Sequence, residues 1–155
     1  MDTTRKGVLV AIDFSHCSRL ALRRGKSWID VNGGKILALH VIDQDFIKHC
    51  VQQNLGTSGD IKKKVFINSK KRLKDFILSE GIDEKDVVMI VCEGAPCIEI
   101  NKKAVENDVD MIIMGSKGNS DDMKAIFFGS TTEKVLRFIK RPVLCIPPEC
   151  HYNLK

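Results

Sequence analysis

Short continuous apolar runs alternate with longer amphipathic stretches along this chain, and that alternation constrains its fold more than any single residue does. Val8 to Ile12 is apolar at every position, as expected of a strand covered on both faces. Ser15 can then cap a helix in which Cys17, Ala21, Gly25 and Trp28 share a face, and Asn32, Gly33 and Gly34 end it with residues that tolerate positive φ. Ile36 to Ile42 reads as a second strand. Asp43 to Gly59 shows no pattern and reads as a long connection, of the kind that is often functional. Asp60 can cap a helix to about Glu80, with Ile61, Val65, Leu73, Phe76 and Ile77 inward and Gly81 as its stop. Val87 to Cys92 is the third strand. Pro96 suits the first turn of a helix carrying Ile100, Ala104 and Val105, and Met111 to Met114 forms the fourth strand. Ser130 can cap a last helix bearing Val135, Phe138 and Ile139 before the strand Pro142 to Ile146. Five strands and four helices in strict alternation, joined by right-handed crossovers, predict an α/β fold: one domain over residues 1–155, an open five-stranded parallel sheet with helices on both faces.

Composition excludes several classes. With 43% apolar and 29% charged residues and only 4 prolines and 11 glycines in 155, the chain can bury a core and is neither disordered nor collagen-like. No uncharged apolar stretch nears the roughly 18 residues of a membrane span, and the run after Arg5 and Lys6 stops at Asp13, too soon for a signal peptide. A cytoplasmic protein without a membrane partner is expected. The net charge of +5 includes a cluster at Lys62, Lys63, Lys64, Lys70, Lys71 and Lys74. Its only aromatic neighbours, Phe66 and Phe76, fall on the apolar stripe of the same helix, so a solvated face is expected rather than a nucleic-acid surface. The six cysteines, at 17, 50, 92, 97, 145 and 150, form no C-x-x-C and read as thiols, Cys92 and Cys145 as small hydrophobes inside strands.

Ligands of such sheets bind beyond the carboxyl ends of the strands, which puts Asp13, Val41 to Asp43, Glu93 with Gly94, and Gly115 with Ser116 along one edge. The most informative stretch is Met114-Gly115-Ser116-Lys117-Gly118, followed ten residues later by Gly129-Ser130-Thr131-Thr132. Two glycines just past a strand let backbone N–H groups approach a ligand, and a third opens a helix whose positive end favours an anion. Ser130 and Thr131 add hydroxyls. The set has the make-up of a phosphate cradle, although no Walker sequence occurs and the same residues could serve only a turn and a cap. Asp13 as a phospho-acceptor lacks the neighbouring acid pair and the acid after strand three. Cys97 as a nucleophile has no histidine close in sequence, and His16 reads as a surface residue.

These pieces together resemble the universal stress protein family from Val8 to Pro147. The matching residues are Ala11-Ile12-Asp13-Phe14-Ser15, Gly94-Ala95-Pro96, Asp110 to Gly118, Phe128-Gly129-Ser130-Thr131 and Arg141 to Pro147. The resemblance implies a Rossmann-like fold of the adenine nucleotide alpha-hydrolase type, usually a homodimer, here joined through the last strand. It implies a site for ATP or another adenine nucleotide. Asp13 would lie at the adenosine, Val41 would offer backbone bonds to adenine, and Gly115, Gly118, Gly129, Ser130 and Thr131 would hold ribose and phosphates, with Ala11, Met114 and Lys117 beside them. Ten residues separate Gly118 from Gly129 where the family has nine, and Ala11 stands where many members have proline. Asp121 and Asp122 put two carboxylates in that loop, for which Mg²⁺, Lys117 and Lys124 would compensate near a triphosphate. The function implied is a nucleotide-binding regulatory module of the stress response with slow or no hydrolysis. Two alternatives remain open here: a phosphohydrolase or nucleotidyl transferase using Asp121 or Asp122 to hold a metal, and a dimeric interaction protein with a degenerate site.

Overall fold

A computed structural model describes residues 6–118 and 128–148. Five strands, β1 (Gly7–Ala11), β2 (Lys35–Asp43), β3 (Val87–Gly94), β4 (Met111–Gly115) and β5 (Val143–Ile146), form one parallel sheet in the order β3-β2-β1-β4-β5. The helices are α1 (His16–Asn32), α2 (Gln44–Gln52), α3 (Ser58–Ser79), α4 (Pro96–Glu106) and α5 (Ser130–Arg137). The chain winds outward from β1 to β3, then returns to the other side of β1 for β4 and β5. The Rossmann-like α/β architecture expected from the alternation of patterns is the one found.

The continuous apolar strands are explained by cover on both faces. On one, Val8, Val10, Ile36, Ala38 and Ile113 pack against Ala21, Leu22 and Ile29 of α1 and Leu73, Phe76 and Ile77 of α3. On the other, Leu9, Leu37, Leu39, Ile112 and Met114 pack against Ile100 and Ala104 of α4 and Val135 of α5. Burial of each such Leu or Ile contributes about 1.5–3 kcal/mol, which makes these two layers the main favourable term for the fold. Ser15 caps α1 as expected, its side chain accepting from the Ser18 N–H, and Gly33 ends that helix at φ 77.

Four expectations are corrected. The segment Asp43 to Gly59 is not an unstructured connection: it contains α2, capped by the Asp43 side chain and seated by Ile47 and Cys50 against Ile61, Val65 and Phe66 of α3. The α-helices therefore number five among the described residues, with a 3₁₀ turn at Glu84–Asp86. α3 starts at Ser58 with Thr57 as its cap rather than Asp60, since the Thr57 hydroxyl accepts the Asp60 N–H at 3.2 Å. Ser130 is the first residue of α5 and not its cap; Gly129 holds that position with no side-chain bond. Val105, read on α4, and Phe138 and Ile139, read on the last helix, are exposed: Ile100 and Ala104 are the apolar residues α4 buries, and α5 ends at Arg137, before Phe138. The lysines of α3 are exposed, as expected of a solvated face. No helix among the described residues is long and apolar enough to cross a membrane.

Candidate nucleotide-site geometry

The order of strands reverses at β1, so the loops that leave β1 and β4 diverge to opposite faces and open a crevice between their carboxyl ends. A cleft with a free volume of about 130 Å³, partly open to solvent, lies there. Its floor is apolar: Ala11 and Ile12 of the β1 end, Leu39 and Val41 of β2, Met114 of β4, and Pro96 and Ile100 of α4. Its other side is polar, with Ser15, Ser18, Lys117, Ser130, Thr131 and Thr132. The division suits a ligand with a flat apolar part and an anionic part.

Each side of the polar end has a local cause. Asp13 turns the chain out of β1, its Oδ1 accepting the Ser15 N–H at 2.9 Å, and thereby places the capped start of α1 at the rim. Gly115 ends β4 against α1 so closely that a Cβ there would lie 2.5 Å from the Cys17 Cβ and 3.0 Å from the Cys17 carbonyl carbon. Only glycine fits. Ser116 is then fixed by its N–H donating to the Ile146 carbonyl and by its carbonyl accepting the Gly129 N–H, both at 2.8 Å. Thr132, buried, donates its hydroxyl to the Gly115 carbonyl at 2.8 Å and pins the first turn of α5 to the end of β4. The first intrahelical bond of α5 runs from Glu133 to Gly129, so the N–H groups of Ser130, Thr131 and Thr132, three residues that line the cleft, have no helical acceptor, and the helix has no side-chain cap. Lys117 is buried at the same end. Helix N-termini and a cation together can hold an anion.

Of the ten residues singled out from sequence, nine line this cleft: Ala11, Asp13, Val41, Met114, Gly115, Lys117, Gly118, Ser130 and Thr131. Gly129 does not. Its N–H is already committed to Ser116, and at φ −63 it adopts a conformation open to any residue. Asp43, Glu93 and Gly94, placed on the same edge, are not lining residues. Asp121, Asp122 and Lys124 lie outside the described residues. Sequence reasoning did not single out Ile12, Ser15, Ser18, Leu39, Pro96, Ile100 and Thr132 as site residues. Ser18 was legible as the residue one helical turn into α1 from its cap, and Thr132 as the third residue of the helix opened by Gly129.

Other candidate groups are placed elsewhere. Cys17, Cys50, Cys92, Cys97 and Cys145 form no disulfide among the described residues. Burial, then the neighbouring Glu99 carboxylate, pushes the Cys92 thiol up to about 11, and burial also raises that of Cys145, so both are protonated packing groups. His16 is exposed, and among the described residues no three acidic, His or Cys side chains gather to hold a metal ion.

Comparisons with known proteins show the family and the fold. The model of the universal stress protein family matches residues 4–147. The universal stress protein MJ0577 of Methanocaldococcus jannaschii is 30% identical over 161 residues, covering 94% of this chain and 97% of its own. Its solved structure superposes with a TM-score of 0.77 over 92% of this chain and 95% of the other. Two more distant structures, each 20% identical and covering 91% of this chain, share the fold. One is a universal stress protein from Archaeoglobus fulgidus in complex with dAMP, with a TM-score of 0.60 and 97% of its chain covered. The other is a universal stress protein in complex with cAMP, with a TM-score of 0.58 and 95% covered. This chain belongs to the universal stress protein family.

Proposed function

We propose that the protein is a regulatory module that binds an adenine nucleotide, ATP or a relative of it, in the cleft between β1 and β4. One observation supports this most: the same cleft is lined by the apolar floor, by the first residues of α5, whose N–H groups have no helical acceptor, and by Lys117. A base suits the first and a phosphate the second. The dAMP and cAMP complexes of distant relatives point to the same class of ligand. On this reading Ala11, Val41 and Met114 flank the base, Asp13 meets the ribose, and Lys117, Gly118, Ser130 and Thr131 hold phosphate. Gly115 and Thr132 keep the loop in shape. Mg²⁺, if it accompanies the nucleotide, is held by the phosphates, with Asp13 as the lining carboxylate among the described residues.

Hydrolysis is slow or absent on this reading: Asp13 is the one acidic side chain among the described lining residues, and its Oδ1 serves the turn out of β1 by accepting the Ser15 N–H. The protein acts through occupancy, in the cytoplasm, as part of a response to stress. It forms a homodimer through β5, a short edge strand whose outer N–H and carbonyl groups at Val143 and Cys145 point away from β4. Denaturing the purified protein and examining the supernatant by mass spectrometry tests the ligand class. Co-purified adenine nucleotide in an amount comparable to protein supports it. Release of a different cofactor overturns it.

A further inference from the structure

We infer that the outward face of α3 is a docking surface for an anionic lipid bilayer. Between residues 62 and 74 this helix carries seven basic residues and no acidic one; the rest of the chain has 18 basic against 20 acidic residues. The entire positive excess of the protein is therefore displayed by one stretch of one helix, and the remainder is slightly acidic. Lys62 reaches Glu93 at 3.4 Å and Lys74 reaches Glu84 at 3.2 Å. Arg72 is turned back over the Phe14 ring, 4.1 Å from its centroid, and Lys70 rests over Phe66. Lys63, Lys64 and Lys71 have no acidic partner among the described residues, and they share the outward stripe with Ile67, Lys74 and Leu78 by helical spacing.

The character of that stripe decides the partner. Its cations are lysines, compact charges suited to a diffuse anionic surface; the one arginine, whose planar fork would pair with individual phosphates, faces the body of the protein. Ile67, 58% exposed, sits in the middle of the row, and Leu78, 46% exposed, at its end. Against a lipid leaflet these two side chains enter the boundary between headgroups and acyl chains, whereas a nucleic acid would leave them facing water and phosphate. No aromatic ring lies on the outward stripe to stack on a base. Hydropathy along the sequence gives no membrane partner because it registers spans, and this surface is peripheral. Each lysine near such a leaflet is worth roughly fivefold in partitioning, so binding is reversible and sensitive to salt.

Sedimentation with phosphatidylcholine vesicles, alone or with about one lipid in three replaced by phosphatidylserine, tests the proposal. The full chain should sediment with the acidic vesicles at about 50 mM salt, stay in solution with the neutral ones, and be released at about 0.5 M. The variant Lys63→Gln/Lys64→Gln/Lys71→Gln should lose roughly 100-fold in partitioning with an unchanged thermal melt, and Ile67→Ser should lose several-fold. Equal sedimentation with both vesicles, none with either, or parent-like binding by the triple variant overturns the proposal. So does parent-like vesicle binding of Ile67→Ser together with tight binding of an oligonucleotide duplex, which would mark a nucleic-acid face instead. Nucleotide occupancy of the cleft does not enter these outcomes.

Discussion

Phe14 has a φ of 65, a left-handed conformation that strains a bulky residue, and it holds that conformation between Asp13 and Ser15 at the rim of the cleft. Its ring is fixed from three sides: His40 at 4.5 Å, Phe76 edge-on at 5.6 Å and the Arg72 guanidinium at 4.1 Å. His40 Nδ1 in turn donates to the Ile12 carbonyl at 2.7 Å. Burial pushes the pKa of His40 down, outweighing the Ile12 bond and the Asp13 charge, so the folded protein keeps it neutral. Above the ordinary value of 6.5 both folded and unfolded states are neutral and stability is flat; below it only the unfolded chain takes the proton, and stability falls. Denaturant melts from about pH 7.5 to 5.5 should show that fall, and His40→Gln should flatten it. Gly115 makes a second prediction at this scale. Gly115→Ala forces a Cβ into Cys17 and should cost about 1–3 kcal/mol in the same melts; an unchanged midpoint would mean α1 yields freely there. The sequence marked Gly115 as special for the approach of a ligand, but its first constraint is the packing of α1, which no local pattern shows. Phe14 gave no signal at all, because its conformation is set by His40 and Arg72, far away in the chain.

At the scale of elements, the two ends of α5 and α3 are held by single polar groups. Thr132→Val keeps the shape of the side chain and leaves the Gly115 carbonyl without its donor, which should cost about 1–3 kcal/mol and loosen the start of α5. Glu80, at the end of α3, receives Arg23 Nε at 2.6 Å and Arg19 Nη1 at 2.5 Å, with 8% of its side chain exposed. The bond from Arg23, with that from Arg19, holds its carboxyl below the ordinary value of 4.5. The contribution is therefore full above that value and lost as pH falls through the depressed one. Glu80→Gln should lower stability by about 1–2 kcal/mol at neutral pH, less than a fully buried pair because Arg23 is half exposed. The strands and α1, α3, α4 and α5 were legible because continuous apolar runs and helical stripes are long enough to repeat. α2 was not: nine residues bury only Ile47 and Cys50, and a stripe of two has no period.

The whole molecule places its candidate site where the sheet changes direction, and that depends on strand order, which alternation of patterns alone does not supply. It puts β5 at an edge with Leu144 and Ile146 packed on the α1 side and Val143 on the α4 side, so the dimer proposal must be tested through the backbone and not by charging Leu144. Val143→Pro removes an N–H pointing away from β4 and should shift the protein to monomer in sedimentation equilibrium; a parent that is already monomeric at tens of micromolar, roughly where specific interfaces persist, would end that proposal. The central claim is the nucleotide in the cleft, and calorimetric titration of ATP into the parent and into Ser130→Glu tests it most directly. Ser130 is exposed in the first turn of α5, where a carboxylate favours the helix dipole but opposes phosphate, so the variant should melt no lower than the parent. Saturable binding of ATP by the parent, weakened about tenfold or more (about 1.4 kcal/mol) in Ser130→Glu, is the expected result. A parent that shows no saturable binding of ATP, ADP or AMP, or a variant that binds ATP as tightly as the parent, would contradict it.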